Sequence, residues 1–178
     1  MSFQNLQVDV DELPQAERIE FQPLAPSYAR QVLIQNALVW ASLCLLSLIP
    51  AVLLIFVFGT PVAVVLGSLV PLIPLTLANL LTPLAVRRAK TAGFALREHD
   101  IAFRRGVFFR KVIILPYGRV QHAHLSSGPL QRRFGLASLK LYTAGASGID
   151  LQIDGLTAQQ AATLREHVTA RTGDAGGA

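Results

Sequence analysis

The chain has 178 residues, of which 52% are hydrophobic and 15% charged, against about 25% charged in an ordinary soluble domain. A single cysteine, Cys44, excludes an intramolecular disulfide. The net charge of +5 is spread too unevenly to be read as one basic face.

Residues 1–30 carry five acids, Asp9, Asp11, Glu12, Glu17 and Glu20, against Arg18 and Arg30. This stretch is too short for a core of its own and has no cleavable apolar leader pattern, so it reads as a cytoplasmic tail. Residues 1–20 read as polar and mobile. Phe21 to Arg30, with Pro23, Pro26 and Tyr28, reads as an extended approach to a membrane. Tyr28 and Trp40 suit interfacial anchoring.

Gln31 to Val86 is 56 residues without one Asp, Glu, Lys or Arg. That is enough for two membrane spans of about 20 residues each. Gly59-Thr60-Pro61 is the strong turn signal near its middle. The expectation is a helical hairpin over 31–86, with spans near 37–58 and 62–84. Pro71, Pro74 and Pro83 predict a kinked second span. Thr76 and Asn79, three residues apart, predict a polar helix-packing face. No ionisable residue lies within either span, which argues for an anchor and against ion-coupled transport.

Residues 87–111 hold eight cations: Arg87, Arg88, Lys90, Arg97, Arg104, Arg105, Arg110 and Lys111. Lys and Arg flanking a span favour the cytoplasmic side, so both termini are placed inside and the Gly59 turn outside. The run lacks the aromatic spacing of RNA-reading strands and abuts a span. An anionic membrane surface is therefore a better partner for it than nucleic acid.

From residue 87 to 172 the pattern is that of one small domain. Phe94 and Leu96, then Ile101 and Phe103, alternate with smaller or polar residues. Phe108 to Leu115, Val120 to Ser126, Ser138 to Thr143 and Ile149 to Ile153 follow as short strand candidates, giving a bent antiparallel sheet. Thr157 and Gln160 form a capping box with Leu156 as staple. Ala161, Leu164 and Val168 share one helix face, and Arg171 then Gly173 close that helix, leaving 173–178 as a tail.

Several motifs carry further resemblance. Leu115-Pro116-Tyr117-Gly118-Arg119-Val120-Gln121-His122 comes first. Gly128-Pro129-Leu130-Gln131-Arg132-Arg133-Phe134-Gly135-Leu136-Ala137 follows, then Leu139 to Gly145 and Gly155-Leu156-Thr157. Together they resemble the bacterial PH-like domain of the YdbS-like membrane proteins, over roughly residues 22–171. The resemblance implies two membrane helices followed by a PH-like fold, a seven-stranded bent antiparallel β-barrel with a C-terminal capping helix. The expected fold class is thus an α+β membrane protein. The resemblance also implies partnership with a larger membrane protein carrying repeats of the same domain.

The hairpin tip Arg104-Arg105-Gly106-Val107-Phe108-Phe109-Arg110-Lys111 is the first candidate site. Adjacent strand residues face opposite ways, so one of Phe108 and Phe109 is expected outside the core, and Phe109 joins the cations as a contact for lipid or partner. Arg132 and Arg133 offer guanidinium forks for phosphate or carboxylate. Pro116, Arg119, Gln121, Gly128, Pro129, Phe134 and Gly135 are assigned structural or interfacial roles. His122 and His124 lack the further ligands that zinc needs, and no nucleophile–base pair or Gly-rich phosphate loop occurs, so neither metal, cofactor nor catalysis is expected. The leading expectation is a non-catalytic, inner-membrane module for protein–protein assembly as a homo- or hetero-oligomer. Binding of anionic phospholipid headgroups is the alternative; a transporter component is the remote third.

Overall fold

The computed structural model describes residues 19–143 and 149–175. The acidic residues before Arg18, the 144–148 connection and the last three residues lie outside the described part. Helix α1 runs Pro26–Phe58. Pro26 sits in its first turn, where its missing N–H costs nothing. Gly59, at φ 58°, ends it in a left-handed cap whose N–H reaches the Ile55 carbonyl. Thr60 then caps α2 (Pro61–Leu69), its Oγ1 accepting from the Ala63 N–H. The second span continues as α3 (Leu72–Thr91).

The expected kink is a break, and it falls at Pro71. Val70 N–H bonds Gly67 and Ile73 N–H bonds Val70, both three residues back, so one tightened turn separates α2 from α3. Pro83 and Pro50 lie inside α3 and α1 without ending them. The most apolar window of α1 is 6% buried and that of Pro61–Thr91 is 11% buried, so these are not core helices of a soluble domain. The helices approach tightly at a seam of small residues. A Cβ on Gly67 would lie 2.9 Å from the Ile55 side chain and 3.0 Å from the Ala51 carbonyl, and Ala51 and Ala63 are buried.

Phe21 to Arg30 is not extended throughout. Gln22–Pro23 form a short edge strand, β1, and the helix starts at Pro26. The domain then adds β2 (Gly93–Leu96), β3 (Asp100–Arg105), β4 (Lys111–Pro116), a 3-10 turn at Tyr117–Arg119, and β5 (Val120–Ser126). A short helix α4 (Pro129–Arg133), β6 (Leu136–Thr143), β7 (Leu151–Thr157) and α5 (Ala158–Ala175) follow. All pairings are antiparallel. They form two sheets, β1-β2-β3-β4 and β5-β6-β7, so among the described residues there are seven strands but no closed barrel.

The two sheets share one core. Phe94, Ile101 and Phe103 meet Leu139, Leu141 and Ile153, and Ala161, Leu164 and Val168 of α5 close it. The capping box forms as expected: Thr157 N–H donates to Gln160 Oε1 at 3.0 Å and Gln160 N–H to Thr157 Oγ1 at 3.1 Å. Helix α5 does not close at Gly173 but runs to Ala175.

A bulge in β7 joins the halves. Ala137 pairs with Leu156 and Leu139 with Ile153, which leaves Ser138 facing both Asp154 and Gly155. Gly155 takes φ 76°, and a Cβ there would collide with the Tyr28 ring. Its carbonyl accepts from Ala25 N–H at 2.9 Å. The first turn of α1 is thereby seated on the domain.

Candidate functional site

Three elements meet where the hairpin joins the domain: the start of α1, the end of α3 and the β3–β4 tip. Thr91 Oγ1, at the last residue of α3, donates to the Gly106 carbonyl at 3.1 Å and ties the tip to the helix. Gly106 adopts φ 111°, and a Cβ there would collide with the Phe109 carbonyl, so this turn requires glycine. Phe108 and Phe109 lie in the loop before β4, not on the strand. The alternation that put one of them in the core therefore does not apply, and they are 76% and 92% exposed.

Behind this tip is an open cleft of about 660 Å³. Val32, Ala85 and Ala89 of the helices form one wall, and Phe103, Phe108 and Phe109 another. Arg88, Arg105 and Lys111 contribute the cations. Arg105 and Lys111 are directly opposite each other, the last pair of the β3–β4 ladder. Like charges in that position repel. Among the described residues the only ion pair is Arg97–Asp100 at 3.6 Å, so none of the three is in ion-pair contact with a carboxylate. Asp154 also borders the cleft, its Oδ1 accepting from Ser138 Oγ at 2.6 Å and Gln152 Nε2 at 2.8 Å; these neutral donors leave its charge in place, so the cleft sets three cations against one carboxylate. The cleft thus combines net positive charge with apolar walls at the end of two apolar helices.

The structure divides the predicted tip cations between two places. Arg105 and Lys111 join Arg88 in the cleft. Arg104 stands on the other side, its guanidinium 4.6 Å from the Phe21 ring centroid. With Arg110 and Lys90 it borders a smaller hollow of about 220 Å³. Arg88 belongs to the basic run but is not singled out by the sequence pattern. Its signal is position, two residues past the apolar stretch that ends at Val86 and one turn before the end of α3.

Arg132 and Arg133 are exposed on α4 and belong to neither place. Gly128 and Pro129 open that helix: Gln131 Oε1 accepts from Gly128 N–H at 2.9 Å, and Gln131 Nε2 donates to Ser138 Oγ at 2.8 Å. Phe134 ends it, and Gly135, at φ 66°, accepts from Ala158 N–H at the start of α5. Pro116 precedes the 3-10 turn and Arg119 is its last residue; Tyr117 within it is buried. Tyr117 Oη donates to the Arg97 carbonyl at 3.0 Å and its ring meets His167 edge-on. Gln121 is exposed on β5 beside a groove against α5, with His122 and His124. Among the described residues no cluster of three metal-ligating side chains occurs.

Thr76 and Asn79 bond back to their own helix, to the Ile73 and Leu75 carbonyls. Asn79 borders a groove between α1 and α3 with Trp40 and Cys44. The tight seam at Ala51, Ala63 and Gly67 was the interhelical contact that polar residues did not signal.

Comparison with known proteins agrees with this architecture. No solved structure matches the chain. The chain is 29% identical over 133 residues to the UPF0699 transmembrane protein YdbS of Bacillus subtilis (strain 168), covering 72% of this chain and 79% of that protein. Residues 32–172 match the bacterial PH domain. That match takes in both the long apolar helices and the two sheets closed by α5, and the chain is a membrane protein belonging to the bacterial PH domain family.

Proposed function

We propose that this chain is a non-catalytic module of the bacterial inner membrane whose cleft holds an anionic phospholipid headgroup, with both termini in the cytoplasm. The observation that carries this is the Arg105–Lys111 pair. Two cations held opposite each other, with Arg88 beside them and none of the three in ion-pair contact among the described residues, are relieved by an anion placed between them. The apolar walls and the exposed Phe108 and Phe109 suit the adjoining acyl region. A cation near an anionic surface contributes about 1 kcal/mol, so replacing two of them lowers affinity roughly 30-fold. Native mass spectrometry of the full chain, equilibrated with equal phosphatidylglycerol and phosphatidylcholine, tests this. The wild type is expected to retain phosphatidylglycerol preferentially, and R105Q/K111Q to lose that preference. Equal retention of both lipids by the wild type would exclude the reading.

Assembly with another PH-like-domain membrane protein is supported by a different observation. Strand β5 is an unpaired sheet edge and borders a groove of about 480 Å³ against α5. A strand from a partner can add to such an edge. H122K, at an exposed position of that strand lining the groove, is expected to abolish co-purification of a membrane partner while leaving lipid retention unchanged.

A further inference from the structure

The cations around the tip come in neighbouring pairs, and the fold sends one of each pair to either side. Arg88 and Lys90 are two residues apart on α3, about 200° around it at 3.6 residues per turn. Arg104 and Arg105 are adjacent on β3 and face opposite ways. Arg110 and Lys111 divide likewise where β4 begins. Lys90, Arg104 and Arg110 therefore converge on the hollow of about 220 Å³, away from the cleft. Among the described residues none of the three is ion-paired and no carboxylate borders the hollow. Its walls are held in place. The Arg104 guanidinium is kept against the Phe21 ring, 4.6 Å from its centroid. The Thr91 Oγ1 bond to the Gly106 carbonyl, at 3.1 Å, ties the helix wall to the strand wall. The hollow differs from the cleft in one respect. No residue of the apolar stretch Gln31 to Val86 borders it, whereas Val32 and Ala85 line the cleft. An anion in the hollow thus has no adjoining seat for acyl chains.

We propose that the hollow is a separate anion site that binds the phosphate group of a water-borne compound. Arg104 and Arg110 supply guanidinium donors and Lys90 a point charge. A phosphate offers three strong acceptor oxygens, one for each of the three converging cations. The site uses none of the cleft cations, so it does not rest on the headgroup reading. The two sides of the tip then hold different molecules, a lipid headgroup in the cleft and a soluble phosphate compound in the hollow.

Equilibrium binding of radiolabelled inorganic phosphate to the full chain in phosphatidylcholine nanodiscs, at low ionic strength, tests the proposal. R105Q/K111Q is the background, so that the cleft does not compete. This variant is expected to bind one phosphate per chain saturably. Adding R104Q/R110Q is expected to lower the affinity at least tenfold, the effect of losing a charge-assisted hydrogen bond. K90Q, which leaves the Arg104–Phe21 contact intact, is expected to lower it severalfold and separates lost binding from misfolding. Retention of phosphatidylglycerol by the otherwise wild-type chain is expected to be unchanged by R104Q/R110Q. A phosphatidylglycerol lost in that variant would overturn the water-borne source in favour of a lipid. Absence of saturable phosphate binding in the R105Q/K111Q background, or binding unaffected by both R104Q/R110Q and K90Q, would overturn the site itself.

Discussion

Gly155 and Tyr28 are 127 positions apart in the chain, and the contact between them is what seats α1 on the domain. A side chain at 155 meets both a left-handed backbone and the Tyr28 ring. G155A is therefore expected to destabilise the protein by about 2 kcal/mol, read as a lowered Tm of the full chain in detergent. An unchanged Tm would remove the seat. Sequence marked Gly155 only as part of a motif, because nothing local shows which ring will lie against it. Tyr117 gives a second test. Burial, and then the neighbouring Asp100 carboxylate, push its phenol above the ordinary value of 10. The folded chain thus keeps the proton to higher pH than the unfolded chain. This contribution to stability is complete below about pH 10 and is lost as pH rises through the folded value. Y117F, which also loses the bond to the Arg97 carbonyl, is expected to be about 1 kcal/mol less stable at pH 7. Its denaturation midpoint should fall less steeply than that of wild type between pH 9 and 11; parallel curves would contradict the shift. Phe108 and Phe109 show the limit of pattern reading. Their apolar character continued the β4 run, but Gly106 turns the backbone, and that turn leaves both rings outside the ladder.

At the scale of elements, hydropathy located the helices but not their ends. Helix α1 has 33 residues, about 50 Å at 1.5 Å per residue, against a hydrocarbon core of about 30 Å. Part of the excess, from Pro26 to Val32, lies beside the domain, so the helix starts eleven residues before the span expected from apolar residues at 37. The second span differs because Pro71 lacks the N–H that would bond Gly67 in a continuous helix. P71A restores that donor and is expected to fuse α2 and α3. Spin labels at Val62 and Ala85 should then separate by a few ångströms more than in the wild type, measured by pulsed dipolar spectroscopy. An unchanged separation would place the cause of the break elsewhere. The capping box at Thr157 was fully legible, since both partners lie within three residues. Strand β1 was not: two residues containing a proline carry no periodicity, and only their pairing with Gly93 and Phe94 defines them.

The whole molecule couples its membrane part to its domain at two points. Ala25 and Tyr28 are held on the β7 bulge, and Thr91 is held on the β3–β4 tip. Both points lie beside the cleft, so the helices fix the height of Arg88, Arg105 and Lys111 relative to the bilayer. The tip cations were visible in sequence as one run. Their division between a cleft and a hollow was not, because it depends on which face of β3 each occupies and on Phe21 returning to meet Arg104. The central claim is that the cleft stands at headgroup depth. Its most direct test is the depth of a spin label at Phe109 in the reconstituted full chain, from the relaxation contributed by oxygen and by a water-soluble nickel complex. The account predicts a label at the boundary of headgroup and acyl chain, with oxygen dominating. A label relaxed as strongly by the nickel complex as one in bulk water would contradict it.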